Sequence, residues 1–325
     1  MSWTPDNIGR TVPRRGEARS IFRVMELKSG QVAVVTGAAS GIGYGLAEAF
    51  AHRGLNIVLA DVEEVALHEA AARIAAIGVQ TLALVTDVSK EDSVQALAAA
   101  TIERFGAVHV VCNNAGVGGA GDGWFGPKST WEWVLGVNLW GVIHGVRAFL
   151  PHLLGGGHIV NTASIAGLMT GFAPAYDASK HAVVALTEDL YNDMQTAGVP
   201  IGVSVLCPGW VRTGIMDSER NWPAELGARP EPNPVSEVAI GHVRRAISEG
   251  TTPAAVASLV VECVENDQFW VIPHQDFLDM VVRRWDRIAD KLNPQPPEET
   301  PGMPPRSQVM AEVQAAMAAL MNPPS

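Results

Sequence analysis

A doubly wound α/β sheet of seven parallel strands is the fold this 325-residue sequence predicts. Three observations predict it. Short apolar runs of strand length alternate with longer segments of helical period along most of the chain. A glycine-rich turn, Thr36 to Gly43, joins the first such strand to the first helix. The second strand then ends in an acid, Asp61, eighteen residues beyond Gly43.

The elements follow in order. Gln31 to Thr36 is a short buried-type strand, and Tyr44 to Arg53 has helical apolar spacing. Leu55 to Ala60 is the second strand, Glu63 to Ile77 the next helix and Gln80 to Thr86 the third strand. Ser89 and Asp92 suggest a capping-box start, with Asp in place of Glu or Gln, for a helix that ends at Phe105 and Gly106. Strand Val108 to Cys112, a long helix from about Trp131 to Leu150, strand His158 to Thr162, helix Ala175 to Thr196 and strand Ile201 to Leu206 continue the alternation. Thr252 and Pro253 supply an N-cap and first-turn proline for a helix to Glu265, and Gln268 to Ile272 is the last strand.

The Thr36 to Gly43 turn has the strand, turn, helix context of a dinucleotide fingerprint. Its glycines allow a tight turn and close backbone approach to a pyrophosphate, whose charge meets free N–H groups at a helix N-terminus. Asp61 stands near the spacing at which a strand-end carboxylate binds the adenosine ribose. Further on, Tyr176 and Lys180 are four residues apart and share a helix face, with Ser164 twelve residues upstream. A free phenol has a pKa of about 10, and bringing it to about 7 takes roughly 4 kcal/mol. One cation at about 4 Å, at an effective dielectric of about 20, supplies that energy. The pair is therefore expected to act as a general acid/base, with Lys180 close to the phenol.

The spacing Gly37, Gly41, Gly43 and the motifs after it resemble the short-chain dehydrogenase/reductase family, from about Met25 to about Ile272. The resemblance implies a Rossmann-type sheet and a nicotinamide cofactor, held by Gly37, Ser40, Gly41, Ile42 and Gly43 of the turn, Asp61, Asp87 with Val88 at the adenine, and Asn114, Ala115 and Gly116. Pro208, Gly209, Val211 and Thr213 match the segment beside the nicotinamide, and Trp210 is a candidate substrate contact. It also implies a tetrad. Asn138 would support a water in a proton relay, Ser164 would orient the substrate oxygen, Tyr176 would exchange the proton, and Lys180 would also bond the ribose hydroxyls. Asp61 followed by Val62, Glu63 and Glu64, with neutral Ala39 and Ser40 in the turn, favours NAD(H) over NADP(H). A silent dinucleotide sensor would be expected to lose Tyr176 or Lys180, and an epimerase or dehydratase of the family's extended branch would carry a different glycine spacing. An NADP-dependent ketoreductase stays open as an alternative.

Composition bounds the rest. With 47% hydrophobic and 18% charged residues, one large core is expected, a single domain with extensions at both ends. A formal charge of -11 disfavours nucleic acid or an anionic membrane as partner. Apolar stretches are broken before about 18 residues, so no membrane span is expected. Cys112, Cys207 and Cys263 read as buried thiols of a reducing, cytoplasmic protein, and the histidines form no metal cluster. Residues 1–24 are Arg-rich and read as a loose tail or a weak transit peptide, 25–275 as the catalytic domain with a lid at about 213–246, and 276–325 as a helical, proline-rich extension. A homo-oligomer, dimer or tetramer, is expected from the resemblance, although the extension puts the family's tetramer contact in question. Trp210, Ile215, Met216, Trp222, Phe172 and Met169 are candidate walls of an apolar pocket. The substrate is then a lipophilic secondary alcohol or ketone; steroid, terpenoid, aromatic diol and acyl-chain alcohols stay open.

Overall fold

The computed structural model describes residues 25–119, 123–230 and 234–321, so the expected tail at 1–24 lies outside the described residues. Seven parallel strands form one sheet in the order β3-β2-β1-β4-β5-β6-β7. They are β1 (Val32–Thr36), β2 (Asn56–Asp61), β3 (Thr81–Val85), β4 (Val110–Asn113), β5 (Gly157–Thr162), β6 (Ile201–Leu206) and β7 (Trp270–Val271). The helices between them are α1 (Gly41–His52), α2 (Glu64–Ala75), α3 (Glu91–Phe105), α4 (Lys128–Leu135), α5 (Gly141–Leu153), α6 (Pro174–Ala197), α7 (Pro234–Glu249) and α8 (Pro253–Glu265). Two more, α9 (Leu278–Ala289) and α10 (Arg306–Met321), make up most of the extension.

Near-continuous apolar strands are what a sheet covered on both faces requires, because alternate side chains point to opposite sides. Ala33, Val35, Ile57 and Leu59 join α1, α2 and α8 in one core layer. Their neighbours Val32, Val34, Val58 and Ala60 join α3 and α5 in the other. Phe50 and Phe149 are fully buried, one in each layer, and truncating either to alanine would cost about 3–5 kcal/mol. Phe277, Met280 and Val281 of the extension are buried in a third cluster with Ile165, Val183 and Cys207, so α9 belongs to the folded body.

Four expectations change on contact with the structure. The capping box at α3 does not form: Lys90 is the N-cap, and Ser89 instead gives its N–H and hydroxyl to Asp87 at 2.9 and 2.7 Å. The long helix runs from Lys128 to Leu153 and contains a π-helical turn, Gly136–Trp140, between α4 and α5. By length and composition that helix could cross a membrane, contrary to the sequence reading, but half of its most apolar window is buried inside the fold. Glycines at 136, 141 and 145 had interrupted the apolar run without ending the helix, since glycine costs a helix only about 1 kcal/mol. The last strand shrinks from the expected Gln268 to Ile272 to the two residues that pair with Val205 and Leu206 at the edge of the sheet, and Pro273 bars its extension beyond Ile272.

Candidate active site

The carboxyl ends of β1, β2, β4 and β5 diverge where the strand order reverses about β1 and β4, and ligands of open α/β sheets bind at such a point. A cavity of about 690 Å3 opens there. Its lining brings together Gly37, Ser40, Gly41, Ile42, Gly43, Asp61, Asp87, Val88, Asn114, Ala115 and Gly116 with Ser164, Tyr176, Lys180, Pro208, Gly209, Trp210, Val211 and Thr213. Asn138 lies just behind this wall, fully buried.

The glycine turn is built for close approach. A Cβ on Gly43 would stand 2.0 Å from the Gly37 carbonyl oxygen, and one on Gly37 would stand 2.8 Å from the Ala115 Cα. Ser40 gives α1 no side-chain cap, which leaves first-turn N–H groups available to an anion. The opposite wall is tied on by Thr36, whose hydroxyl accepts the N–H groups of Asn114 and Ala115 at 2.9 and 3.0 Å. This cradle fits a dinucleotide. Asp61 accepts the N–H groups of Ala39 at 2.9 Å and Glu63 at 3.1 Å, which fixes its carboxylate at the rim, while burial raises its pKa against the pull of those bonds.

One neighbour of Asp61 is invisible in the local sequence. Arg220, from the segment after β6, forms an ion pair with Glu63, and Asn221 bonds the same carboxylate at 2.9 Å. The Arg220 guanidinium holds the Glu63 carboxyl below its ordinary range. A cation therefore does stand at the Asp61 end of the cavity, 157 residues away in sequence from the carboxylate it meets.

At the other end, α6 begins at Pro174 and carries Tyr176 and Lys180 on one face. Their geometry departs from the simple pair. The Lys180 Nζ donates to the Thr162 carbonyl at 3.0 Å and lies 5.6 Å from the centroid of the Tyr176 ring. Burial pushes the phenol up to about 12; the neighbouring Ser164 side chain opposes this, and the Asp177 carboxylate adds to it. Burial pushes Lys180 itself down to about 8, the strand-end carbonyl being a better seat for a buried ammonium than the ring.

Asn138 sits in the π-helical turn and uses its amide as a bracket: Oδ1 accepts the Val117 N–H at 2.8 Å, and Nδ2 donates to the Val117 carbonyl at 3.0 Å and to Ser179 Oγ at 3.3 Å. Ser179 passes its own hydroxyl to the Tyr176 carbonyl at 2.7 Å. Ser164 Oγ accepts the Ala166 N–H at 3.1 Å, and its hydroxyl points to the Pro208 carbonyl at 3.4 Å. Asp177 was not anticipated. Its buried carboxylate accepts the N–H groups of Gly171, Phe172 and Ala173 at 2.8, 3.2 and 3.4 Å, anchoring the loop before Tyr176. An acid in the first turn after Pro174 was the available signal. Of the six expected apolar walls, Met169 is instead a core residue, and the other five line the cavity.

The sequence profile of the short chain dehydrogenase family matches residues 31–224. The chain belongs to that family. The short-chain dehydrogenase/reductases are oxidoreductases of alcohol and ketone groups that use a nicotinamide dinucleotide, and this enzyme is one of them. It is similar to the 1-deoxy-11-beta-hydroxypentalenate dehydrogenase of Streptomyces exfoliatus, 36% identical over 279 residues, 83% of this chain and 93% of that protein. A short chain dehydrogenase/reductase from Burkholderia phymatum, solved in complex with NAD, superposes with a TM-score of 0.82 at 43% identity, over 85% of this chain and 100% of that one. An actinorhodin polyketide ketoreductase variant solved with NADPH gives a TM-score of 0.62 at 30% identity, over 75% and 95% of the two chains. The shared fold thus serves both cofactors.

Proposed function

We propose that this enzyme interconverts lipophilic secondary alcohols and ketones, with NAD(H) preferred over NADP(H) and Tyr176 as general acid/base. The observation that carries this reading is the convergence of Ser164, Tyr176 and Lys180 on one wall of the cavity whose other end holds the glycine turn and Asp61. The bound nicotinamide would supply the hydride acceptor or donor. Ser164 holds the reacting oxygen, and Tyr176 exchanges its proton. With the phenol at about 12, Tyr176 is protonated at neutral pH and suited to donate to a carbonyl oxygen; oxidation gains as pH rises toward that value. Lys180 at about 8 is mostly charged at pH 7 and can bond ribose hydroxyls, and Asn138 keeps the Val117 wall in register with α6.

Several features support the finer choices. Trp210, Phe172 and Trp222 give the substrate end an aromatic lining. NAD is favoured by Asp61 and by the cofactor of the Burkholderia phymatum relative. Arg220 beside Glu63 supports the second reading, an NADP-dependent ketoreductase, because a 2′-phosphate could recruit its guanidinium. The same proposal includes a cytoplasmic homo-oligomer, dimer or tetramer, in keeping with three free buried cysteines and with Trp140 and Trp285 exposed. The domain limits and lid of the sequence reading stay part of it.

The test is incubation of the purified chain with NAD and a panel of secondary alcohols, followed by NADH absorbance. Tyr176→Phe is expected to lower turnover by about a hundredfold or more with cofactor affinity unchanged. Near-native turnover in that variant would overturn the mechanism.

A further inference from the structure

Trp210 is held from two sides by residues that lie beyond the 31–224 segment shared with the family profile. Its main chain is clasped by His274. The imidazole Nδ1 accepts the Gly209 N–H at 3.0 Å, and Nε2 meets the Trp210 carbonyl at 2.9 Å. An N–H can only donate and a carbonyl only accept, so this ring carries its proton on Nε2, with both nitrogens engaged. The seat has no slack: a Cβ on Gly209 would stand 2.8 Å from Phe277 Cε2 and 3.1 Å from His274 Cγ.

The side chain of Trp210 is held by the far end of the extension. Its indole Nε1 donates to the Pro301 carbonyl at 2.6 Å. Gly302, at φ +73°, packs so closely that a Cβ there would lie 3.0 Å from Trp210 Cδ1 and 3.7 Å from the Ala246 Cβ of α7. The indole stands edge-on between Phe172 and Phe277, at centroid distances of 5.7 and 6.1 Å. Beyond it α10 rests on α7, with His242 Nε2 2.6 Å from Glu312. Trp210, Phe172 and the α7 residues Ile240 and Val243 all line the cavity. Any swing of the indole into that space would give up its bond to Pro301 and its packing on Gly302, so residues of the extension decide where the wall stands.

We propose that His274 and Pro301 are positioning residues that tune substrate specificity by fixing where Trp210 stands in the cavity wall. The proposal rests on the reading of the cavity as an alcohol dehydrogenase site. The ligands this wall selects among are apolar alcohols or ketones whose bulk lies against the Trp210 and Phe172 rings; hydride and proton transfer stay with groups elsewhere in the cavity.

The test uses the full chain and three variants, Gly302→Val, His274→Phe and His274→Gln. In Gly302→Val the added side chain displaces the indole, and kcat/KM for the bulkiest alcohol of a graded series is expected to fall about tenfold relative to the smallest. The loss should appear mainly in KM, with the Kd for NAD unchanged. In the cofactor-free protein, hydrogen exchange by mass spectrometry should show faster exchange in the peptide over 207–213 for His274→Phe, which keeps the ring shape but neither bond. His274→Gln, which retains a donor and an acceptor, should restore protection in part. A substrate profile parallel to wild type in Gly302→Val, or wild-type exchange in His274→Phe, would overturn the proposal. If His274→Phe does not fold, His274→Asn, whose side chain is too short to reach both main-chain groups, replaces it in the exchange experiment with the same expected loss of protection. A wild-type enzyme that oxidises none of the alcohols would instead refute the functional reading, while the exchange experiment still judges the clasp.

Discussion

Replacing Lys180 by methionine removes a buried cation whose burial the fold must support. The lysine is 3% exposed, and burial takes it from its ordinary 10.5 down to about 8, with the charge coupling to Cys207 pulling the other way. At about 1.4 kcal/mol per pH unit, that depression corresponds to about 3 kcal/mol. The sign follows from proton counts. Below about pH 8 both native and unfolded chains carry the proton, and the native state bears the full cost of a buried charge. Above 10.5 neither carries it, and the cost is gone. Between these values the unfolded chain binds a proton that the native chain does not, so wild-type stability rises with pH. Urea unfolding followed by circular dichroism, repeated from about pH 7 to about pH 10.5, would measure the rise. Lys180→Met should lack it, so the difference between the two proteins should change by about 3 kcal/mol over the window. Cys207 and Cys263, pushed up to about 12 and about 11, bring an opposite slope above their ordinary 9.0, but both proteins contain them. A difference curve that stays flat across the window would refute the buried-ammonium reasoning.

Other outcomes follow from single contacts. A 2′-phosphate would bring charge against Asp61 at about 4 kcal/mol per unit pair at about 4 Å and a dielectric of about 20. Discounted for screening and for Arg220, this should leave NAD favoured by about 100-fold in kcat/KM, or about 2.7 kcal/mol. Asp61→Ala should narrow the gap and Arg220→Ala widen it; equal efficiency with both cofactors in wild type would mean Asp61 does not meet the ribose. Asn138→Ala strands the buried N–H and carbonyl of Val117 and should cost about 3 kcal/mol in denaturant unfolding, whereas a loss under about 1 kcal/mol would show that those groups find other partners. Gly43→Ala drives a methyl against the Gly37 carbonyl, so calorimetric NAD binding should be lost together with about 1–3 kcal/mol of stability, and wild-type affinity would mean the turn is slack.

Much of the architecture was legible because it depends on local pattern. Val32 to Val35 and Ile57 to Ala60 are apolar on both faces, as strands buried on both sides must be, and the order of motifs located the cavity at their carboxyl ends. The helix starting at Thr252 and Pro253 formed as read, with Thr252 Oγ accepting the Ala255 N–H at 3.1 Å. What escaped the sequence depends on distance along the chain. Arg220 reaches Glu63, and Pro301 reaches Trp210 across 91 residues, with no period or motif to announce either. The Tyr176 and Lys180 pair shows the same limit at short range. Helical spacing placed both side chains on one face, but the choice between phenol and carbonyl for the ammonium was made by Thr162, a residue of another element.

The bond from Asn114 N–H to Thr36 Oγ spans 78 residues and joins the two walls of the dinucleotide cradle. During synthesis β1 leaves the ribosome long before β4, and the intervening β2 and β3 can pair beside β1 on one side only. A nascent chain ending before Asn114 would thus hold the glycine turn without its opposing wall. If the cradle holds a dinucleotide as proposed, its affinity would arrive only when the second half of the sheet closes onto the first, and the cofactor would then draw the whole sheet toward the native state by mass action.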